Sequence, residues 1–385
     1  MSREIQKKEV IIVGSDHYNT LWLVRSLGFE GYAVTVIIVG GKNSFVSTSR
    51  FCSRSVIVDS INDVVPTLMS LSFVRRIVVI AAGDIYAKII DENYEMLSSK
   101  YLLHNCKNKG GEIAYWMNKS SLLEKAKESG LTIPATVSLG PEEVLTERNF
   151  TFPCLIKPEV SALLSKDAFN VCKDITELKS ALQEVFVSGK RVLVQELINV
   201  DYEVLIYGVR TNAGQLIMPG GLKKIHTCSS NNNMGMMSYG CLTRELEQHG
   251  ISVDGIARLM ESIDYHGVFS VEFMIANGKS YFLEMNLRND GTVYCTTKAG
   301  VNIPAIWSIT AEGLSIEDIP MRLKRDQTFC MNEVNYFKYT LLHQSLIKSF
   351  GEILRARAFS IFEIKDLRPV IAKLFIPLFA KSRVN

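Results

Sequence analysis

Val268-Phe-Ser-Val-Glu-Phe-Met-Ile-Ala-Asn-Gly-Lys-Ser-Tyr-Phe-Leu-Glu-Met-Asn-Leu-Arg288 is the most informative stretch of this chain. An Asn-Gly dipeptide between two alternating apolar runs predicts a β-hairpin. A three-residue loop at 277–279 places Glu272 opposite Glu284, because the two positions are equally distant from residue 278. The hairpin therefore brings two carboxylates together on neighbouring strands.

Successive side chains of a strand point to opposite faces, so this hairpin has a polar and an apolar face. The polar face carries Glu272, Glu284, Asn286 and Arg288. The apolar face, which suits a core, carries Phe273, Ile275, Leu283 and Met285. Facing carboxylates repel each other unless a cation lies between them, and oxygen ligands suit a hard divalent ion. A metal site and a solvated polar face both fit this pattern.

The composition is that of an ordinary globular protein. The 385 residues suffice for two or three domains, and a formal net charge of +3 is too small to indicate a nucleic-acid partner. The eight cysteines are scattered without a CxxC pair, so free thiols in a reducing cytosol are expected. There is no signal-peptide pattern and no apolar run of about 18 residues, so the expected location is cytoplasmic.

The order of strand and helix patterns divides the chain into four regions. Residues 1–112 alternate strands with helices, which predicts a parallel, Rossmann-like sheet. Residues 113–198 are predicted to form a small α+β unit, and residues 199–315 a larger antiparallel unit. Residues 316–385 are predicted to form a basic, mainly helical C-terminal extension.

This extension carries an excess of positive charge. From Lys338 to Asn385 there are nine Lys and Arg residues against three acids. The pieces Leu341–Phe359 and Pro369–Ala380 are apolar and amphipathic. Two helices packed on the body with a basic outer face would give this pattern, and so would peripheral contact with an anionic membrane.

Three further motifs precede the hairpin. Lys119 begins a predicted helix, and Phe152-Pro-Cys-Leu-Ile-Lys-Pro158 ends a predicted strand with a lysine at 157. Val192-Leu-Val-Gln-Glu-Leu-Ile198 then leads into Asp201-Tyr-Glu203. Together with the hairpin, this order resembles the ATP-grasp superfamily of carboxylate–amine ligases over roughly residues 113–310.

The resemblance implies a fold and a reaction. A Rossmann-like pre-ATP-grasp domain would precede two α+β subdomains that clamp ATP. An ATP-dependent, ADP-forming ligase of this kind activates a carboxylate as an acyl phosphate and couples it to an amine, here expected to be an amino acid. The implied cofactors are ATP and Mg²⁺, with Mn²⁺ as a substitute. The implied partners are a small-molecule carboxylic acid and an amine, and a homodimer is compatible with the family.

The resemblance also implies roles for individual residues. Glu272, Glu284 and Asn286 would hold the metal ion. The residues that would contact phosphate are Lys119, Lys157 and a third lysine, either Lys223 or Lys224, between which the sequence does not choose.

The remaining roles concern the nucleoside and the transferred group. Glu196, Leu197 and Ile198 would contact adenine, and Glu203 would contact ribose. Arg288 would contact the γ-phosphate or the acyl phosphate, although a salt bridge to a neighbouring acid is the alternative. A cross-strand charge pair is the alternative for Glu203, and a solvated helix position is the alternative for Lys119.

The chain departs from the family pattern at the lid. Many members cover the phosphates with a glycine-rich loop, but residues 159–167 contain no glycine. Ser161, Ser165 and Lys166 would take over this role. A non-catalytic nucleotide-binding protein is therefore kept as an alternative to the ligase. An ATP-grasp small-molecule kinase is a second alternative, because its phosphate-binding residues would look the same.

Two turns of the N-terminal region, 16–19 and 83–84, are predicted to face the cleft. They are candidates for reading an amino group or a second substrate, although Asp16 equally suits a helix N-cap. The N-terminal start is loosely similar to D-aspartate ligase-like proteins, and the chain to ATP-grasp proteins such as the large subunit of carbamoyl-phosphate synthase. Neither likeness identifies the substrates of this protein.

Overall fold

The computed structural model describes residues 8–41, 43–143, 150–159, 171–187, 189, 191–225, 236–241, 246–317, 327–341 and 344–381. They form three β-sheets with helices packed against them. Within these ranges, no helix has the length and apolar character needed to cross a membrane.

The N-terminal region is an α/β unit. Its strands are β1 (Glu9–Gly14), β2 (Ala33–Val39), β3 (Cys52–Val58), β4 (Ile77–Ala81) and β5 (Tyr101–Leu102). Its helices are α1 (Tyr18–Phe29), α2 (Val64–Ser70), α3 (Asp84–Glu92) and α4 (Tyr94–Leu97). The strands are parallel, in the order β3-β2-β1-β4-β5, which confirms the predicted Rossmann-like sheet.

Strand β1 shows why this sheet is covered on both sides. Val10 and Ile12 belong to one apolar cluster together with residues of α1, and Ile11 and Val13 belong to another. A strand that is buried on both faces needs a continuous apolar run, and residues 10–13 provide one.

A small α+β unit follows. A short strand β6 (Asn105–Cys106) leads into helices α5 (Glu112–Trp116) and α6 (Lys119–Glu128). The unit then contains β7 (Thr136–Leu139), β8 (Cys154–Pro158), β9 (Val171–Cys172), α7 (Ile175–Phe186) and β10 (Val192–Glu196). Its antiparallel sheet has the order β7-β10-β8-β9.

The third sheet is the largest. Its first strands are β11 (Tyr202–Arg210), β12 (Leu216–Lys224), β13 (Met236–Cys241), β14 (Tyr265–Ala276) and β15 (Lys279–Asn286). Helices α8 (Val253–Ser262), α9 (Val293–Ala299) and α10 (Ile303–Ala311) belong to this part. The strand order β15-β14-β11-β12-β13 puts the predicted hairpin at one edge, and β6 pairs with β14.

The C-terminal region contains the predicted helices and also extends this sheet. Its elements are β16 (Gln327–Met331), α11 (Glu333–Asn335), a π-helical turn (Tyr336–Thr340), α12 (Leu346–Arg355), β17 (Ala356–Phe359) and α13 (Arg368–Lys381). Strand β16 pairs with β13, and β17 pairs with β16. The amphipathic piece 341–359 is therefore helical only in part, since a strand begins directly after Arg355.

A buried ion pair fixes the segment before α13. Arg25 Nε donates to Asp366 Oδ2 at 3.0 Å, and both side chains are fully buried. Ser49 Oγ and the Arg50 amide also donate to this carboxylate, at 2.7 and 2.9 Å. Residue 366 is thus tied to α1 and to the loop after β2.

One pair of cysteines forms a disulfide bond. Cys295 in α9 and Cys330 in β16 are joined, with their Cα atoms 5.9 Å apart. The prediction of free thiols is wrong for this pair, whereas Cys52, Cys106, Cys154 and Cys172 are free. A separation of 35 residues carries no spacing signal, because the pairing depends on the packing of α9 against β16.

Candidate active site

The hairpin brings the two predicted acids together. Glu272 and Glu284 are direct cross-strand partners, and Ser270 pairs with Asn286. The loop has two residues, not the three that we predicted, because Ala276 pairs with Lys279. Asn277 and Gly278 both have positive φ, 50° and 72°, as a two-residue type I′ turn requires.

A β-bulge restores the predicted pairing. The register shifts between Glu272 and Phe273, so Phe282 pairs with Phe273 and Leu283 is the extra residue of β15. The bulge also changes which side chain enters the core. Phe282 is fully buried, and the centre of its ring lies 5.9 Å from the centre of the Phe273 ring. The prediction that Leu283 faces the core is wrong, because this residue is only half-buried.

Lys224 lies beside the carboxylates and Lys223 does not. Lys224 Nζ forms an ion pair with Glu203 and lies 3.5 Å from Glu272 Oε2. Lys223, on the opposite face of β12, places its Nζ 3.7 Å from the centre of the Tyr202 ring. Alternation along β12 therefore favours Lys224 over Lys223 as the third lysine of the site.

The charges in this cluster shift each other's pKa. Burial and then the adjacent Glu284 raise the pKa of Glu272 to about 7. Burial disfavours the charged form of Lys224, but Glu272 and Glu203 outweigh it and raise the pKa of this lysine. Glu203 thus forms a cross-strand charge pair with Lys224, which is the alternative to a contact with ribose.

The other two lysines approach from neighbouring elements. Lys119, the first residue of α6 after the Asn118 cap, places its Nζ 3.6 Å from Glu284 Oε2. Lys157, on β8, donates to Gln195 Oε1 at 2.6 Å. Burial and then the charge of Lys119 lower the pKa of Lys157 to about 8. A buried cation next to a second cation is suited to receiving an anion.

Gln195 is a site residue that the sequence analysis missed. It is almost fully buried on β10, accepts from Lys157 and donates through Nε2 to Thr136 Oγ1 at 2.9 Å. Gln195 pairs with Leu155, two positions before Lys157 on the neighbouring strand, so the two side chains share a face. The motif Gln-Glu-Leu-Ile could have revealed it, since a polar residue interrupts a buried run there.

The predicted hinge connects β10 with β11. The Leu197 amide donates to the Pro153 carbonyl at 2.9 Å, so this donor already has a partner. Glu196 accepts from the Ala135 amide at 3.2 Å through Oε2. Ile198 is half-buried in the same connection. The contact of these residues with adenine stays a prediction.

Arg288 forms the salt bridge that was the alternative to phosphate contact. Its Nε and Nη2 donate to the two carboxylate oxygens of Asp84, at 2.6 and 3.1 Å. Nη2 also donates to Asn286 Oδ1 at 3.1 Å, and Nη1 to the Asn289 carbonyl at 3.0 Å. Arg288 therefore joins the start of α3 to the end of the hairpin.

A second polar connection runs beside it. Asn289 Nδ2 donates to Asn19 Oδ1 at 2.6 Å, and Asn19 Nδ2 donates to the Ala82 carbonyl at 3.1 Å. Asn289 Oδ1 accepts from Tyr207 Oη at 2.5 Å. Asn19, from the turn predicted to face the cleft, thus links the Rossmann-like sheet to the large sheet.

Asp16 does not cap α1. It accepts from Ser44 Oγ at 2.5 Å and from the Val46 amide at 3.1 Å, which fixes the loop after β2. The N-cap is His17, whose Nδ1 accepts from the Asn19 amide at 3.2 Å. Burial lowers the pKa of His17.

A cavity of about 510 Å³ opens next to the paired acids. Asp84, Glu284 and Asn286 line one end of it, and Lys119 also borders it. Its remaining wall is mainly apolar and includes Ile85, Trp116, Met117, Leu122 and Leu287. The cavity is large enough for a small organic substrate.

The oxygen atoms of this site could coordinate a magnesium ion only if a bound nucleotide or water supplied further ligands. Glu272, Glu284 and Asn286 offer carboxylate and amide oxygens, the donors that Mg²⁺ prefers. In the described part of the chain, no group of three or more His, Cys, Asp or Glu side chains could hold a metal. An ion here would take its other ligands from phosphate and water, as Mg²⁺ commonly does.

The lid residues Ser161, Ser165 and Lys166 lie outside the described residues. So does the segment 226–235, which follows β12.

Comparisons with known proteins agree with this geometry. Residues 124–301 match the family model of the ATP-grasp domain. The formate-dependent phosphoribosylglycinamide formyltransferase of a Nitratiruptor species is 25% identical over 184 residues, which are 46% of this chain and 45% of that protein. The match therefore spans about half the length of this curated relative.

Two solved structures have a similar fold. An N5-carboxyaminoimidazole ribonucleotide synthetase in complex with ADP has a TM-score of 0.66 at 18% identity, covering 89% of this chain and 86% of its own. The L-amino acid ligase from Bacillus licheniformis has a TM-score of 0.59 at 15% identity, covering 80% and 75%. Residues 124–301 of this chain thus form an ATP-grasp domain.

Proposed function

We propose that this protein is an ATP-dependent, ADP-forming ligase that joins a small carboxylic acid to an amine. The observation that carries the proposal is the direct pairing of Glu272 with Glu284 beside Lys119 and Lys224. Two acids that face each other at the edge of a sheet, with lysines around them, suit a magnesium-bound polyphosphate.

The residues divide the work of phosphoryl transfer. Lys119 and Lys157 would hold phosphate oxygens as point charges, and Gln195 would keep Lys157 directed at them. Glu272, Glu284 and Asn286 would hold Mg²⁺, which when bound neutralises charge on the transferred group. The product of transfer to a carboxylate is an acyl phosphate, which an amine can attack with loss of phosphate.

Nucleotide binding would exchange partners within the cluster. Lys224 is now paired with Glu203 and near Glu272. A triphosphate offers Lys224 a stronger anionic partner, which would release Glu203 for the ribose hydroxyls. The backbone at Glu196, Leu197 and Ile198 would contact adenine.

The cavity beside Asn286 is the proposed substrate site. Its polar end lies at the acids, and its apolar wall includes Ile85 and Trp116. This combination suits a substrate with a charged group near the metal and an apolar body. The likeness to an L-amino acid ligase supports an amino acid as one substrate, and the likeness to a formate-dependent enzyme supports a small acid. We infer a cytoplasmic location, where ATP is available; a homodimer stays a prediction.

Hydroxylamine trapping tests this proposal. The protein is incubated with Mg²⁺, ATP and a panel of amino acids and small acids, and phosphate release and hydroxamate formation are measured. A ligase forms hydroxamate from its acyl phosphate, and Glu284→Gln should abolish it. Glu261→Gln, an exposed glutamate on α8, is the matched control. ATP turnover without hydroxamate for any acid would indicate a kinase, and no ATP binding by calorimetry would refute both.

A further inference from the structure

Helix α12 is oriented with its polar side toward the protein. Ser349 is almost fully buried. Glu352 accepts from Tyr336 Oη at 2.5 Å and from Gln344 Nε2 at 2.8 Å. Ile353 also packs inward, against the cluster that contains Met331 and Tyr336. A surface helix normally exposes its polar residues, so the inward position of Ser349 and Glu352 is unusual.

The outer face of α12 is apolar. Its exposed side chains, with their exposed fractions, are Leu346 (74%), Ile347 (88%), Phe350 (64%) and Leu354 (61%). Residues 346, 350 and 354 are four apart and so form one stripe along the helix. An exposed stripe of large apolar side chains marks a contact surface.

More apolar side chains are exposed around the start of α13. Ile371 and Leu374 are three residues apart in the helix, and Ile364 and Leu367 are exposed in the segment before it. On the other side of the helix, Ala372 packs against the core. Helix α13 therefore also has one covered face and one open apolar face.

The acids of this region are turned inward. Residues 338–385 contain three of them, Glu352, Glu363 and Asp366. Glu363 accepts from Tyr294 Oη at 2.5 Å and from Lys298 Nζ at 3.0 Å. Asp366 is paired with Arg25, and Glu352 is hydrogen-bonded to Tyr336. Each carboxylate thus has its partner within the protein.

The basic residues of the region are turned outward. The exposed ones are Lys348, Arg355, Arg357, Lys365, Arg368 and Lys373. Among the described residues, Lys348, Arg355, Arg357 and Arg368 take part in no ion pair. Within residues 338–385, the exposed apolar side chains are thus accompanied by exposed cations, and none of the three carboxylates is exposed.

We propose that the outer face of α12, together with the exposed cations Lys348, Arg355 and Arg357, docks on an anionic lipid bilayer. An apolar face flanked by Lys and Arg gains both by inserting side chains at the acyl boundary and by attraction to anionic headgroups. A second copy of this chain would bring the same unpaired cations together and is disfavoured. The proposal is independent of the chemistry of the active site.

Vesicle co-sedimentation of the full chain tests this surface. Vesicles of phosphatidylcholine alone are compared with vesicles that contain about 30 mol% phosphatidylglycerol, at about 0.1 M salt. We expect binding to the anionic vesicles and loss of it at high salt. The combined variant L346Q/I347Q/F350Q/L354Q should lose binding. Variant K348Q/R355Q/R357Q should weaken it by roughly fivefold for each residue neutralised.

Matched controls change the same residue types elsewhere. Val74→Gln and Val187→Gln remove exposed apolar side chains outside this surface, and K173Q/K179Q/K279Q removes three exposed lysines. These variants should bind as the wild type does, and thermal melting shows whether each variant is folded. Vesicle binding that is absent, or that the surface variants leave unchanged, overturns the proposal. The proposal is also overturned if the protein binds no vesicles and instead dimerises at higher concentration, and the variant L346Q/I347Q/F350Q/L354Q abolishes the dimer.

Discussion

Arg288 and Asp84 form a two-pronged ion pair that joins the hairpin of the large sheet to the first turn of α3 in the Rossmann-like unit. The guanidinium also contacts Asn286, a proposed metal ligand. The N-terminal unit therefore helps to set the position of a charged group at the active site. A bidentate arginine–carboxylate pair fixes orientation as well as distance.

Replacing Asp84 by asparagine should lower kcat by about tenfold to a hundredfold, because a small displacement of a positioned group has effects of this size. The affinity for ATP should stay within about twofold, since Asp84 does not contact the lysines of the site. Steady-state kinetics and calorimetry measure the two quantities. Asp84→Glu should recover part of the rate, and Asp59→Asn, at an exposed position, is the control. A variant with unchanged kcat but weaker ATP binding would contradict this role.

Lys224 and Lys223 provide a comparison within one strand. Lys224→Met should reduce ATP turnover by about a hundredfold or more, because it removes a donor beside the transferred group. Lys223→Met should change turnover by less than about threefold, because Lys223 stacks on Tyr202 away from the acids. Equal losses in the two variants would show that alternation along β12 does not select the catalytic lysine.

ATP affinity should depend on the protonation of Lys157. Its pKa is lowered to about 8 in the free protein, so the side chain loses its charge as the pH rises past this value. ATP binding favours the charged form, so the dissociation constant should rise above pH 8 and protons should be taken up on binding near that pH. Calorimetry in buffers of different ionisation enthalpy measures both effects. Lys157→Arg, which stays charged, should show no such pH dependence.

Removing one of the paired acids should stabilise the free protein. Burial and the repulsion between Glu272 and Glu284 disfavour the charged pair when no cation is present. Glu272→Gln should raise the free energy of unfolding by about 1 kcal/mol in the absence of Mg²⁺ and nucleotide. It should also remove the stabilisation that Mg²⁺ with ADP provides. Urea unfolding with and without these ligands tests both statements, and a less stable free variant would argue against a repulsive pair.

Asp366 should be important for stability. Asp366→Ala leaves the buried guanidinium of Arg25 without its partner and should cost about 3–5 kcal/mol. Glu92→Gln disrupts the exposed pair with Lys88 and should cost less than about 1 kcal/mol. Urea unfolding distinguishes these values. A similar small cost for both variants would mean that the pair with Arg25 does not hold the C-terminal segment.

Much of the site could be predicted because its signals are local. The Asn277-Gly278 turn and the alternation around it were sufficient to pair Glu272 with Glu284. The bulge at Leu283 could not be predicted from the pairing of the two acids. A two-residue loop followed by one extra residue pairs Glu272 with Glu284, and so does a three-residue loop without a bulge.

Other features depend on contacts between distant residues. The choice between Lys223 and Lys224 requires the register of β12 with β11, and the role of Gln195 requires the register of β10 with β8. The Arg288–Asp84 pair spans 204 residues. For α12 the sequence showed an amphipathic helix, but which face is covered depends on Tyr336 and Gln344.

Strands β16 and β17 make the last part of the chain a structural component of the large sheet. A protein shortened to residue 315 would keep every residue proposed to bind ATP. Strand β13, however, would become an unpaired edge strand of the sheet. Its free amide and carbonyl groups could then pair with strands of other molecules. Isolating the catalytic machinery by truncation would thus yield an aggregating fragment, and a minimal working enzyme has to extend at least through Phe359.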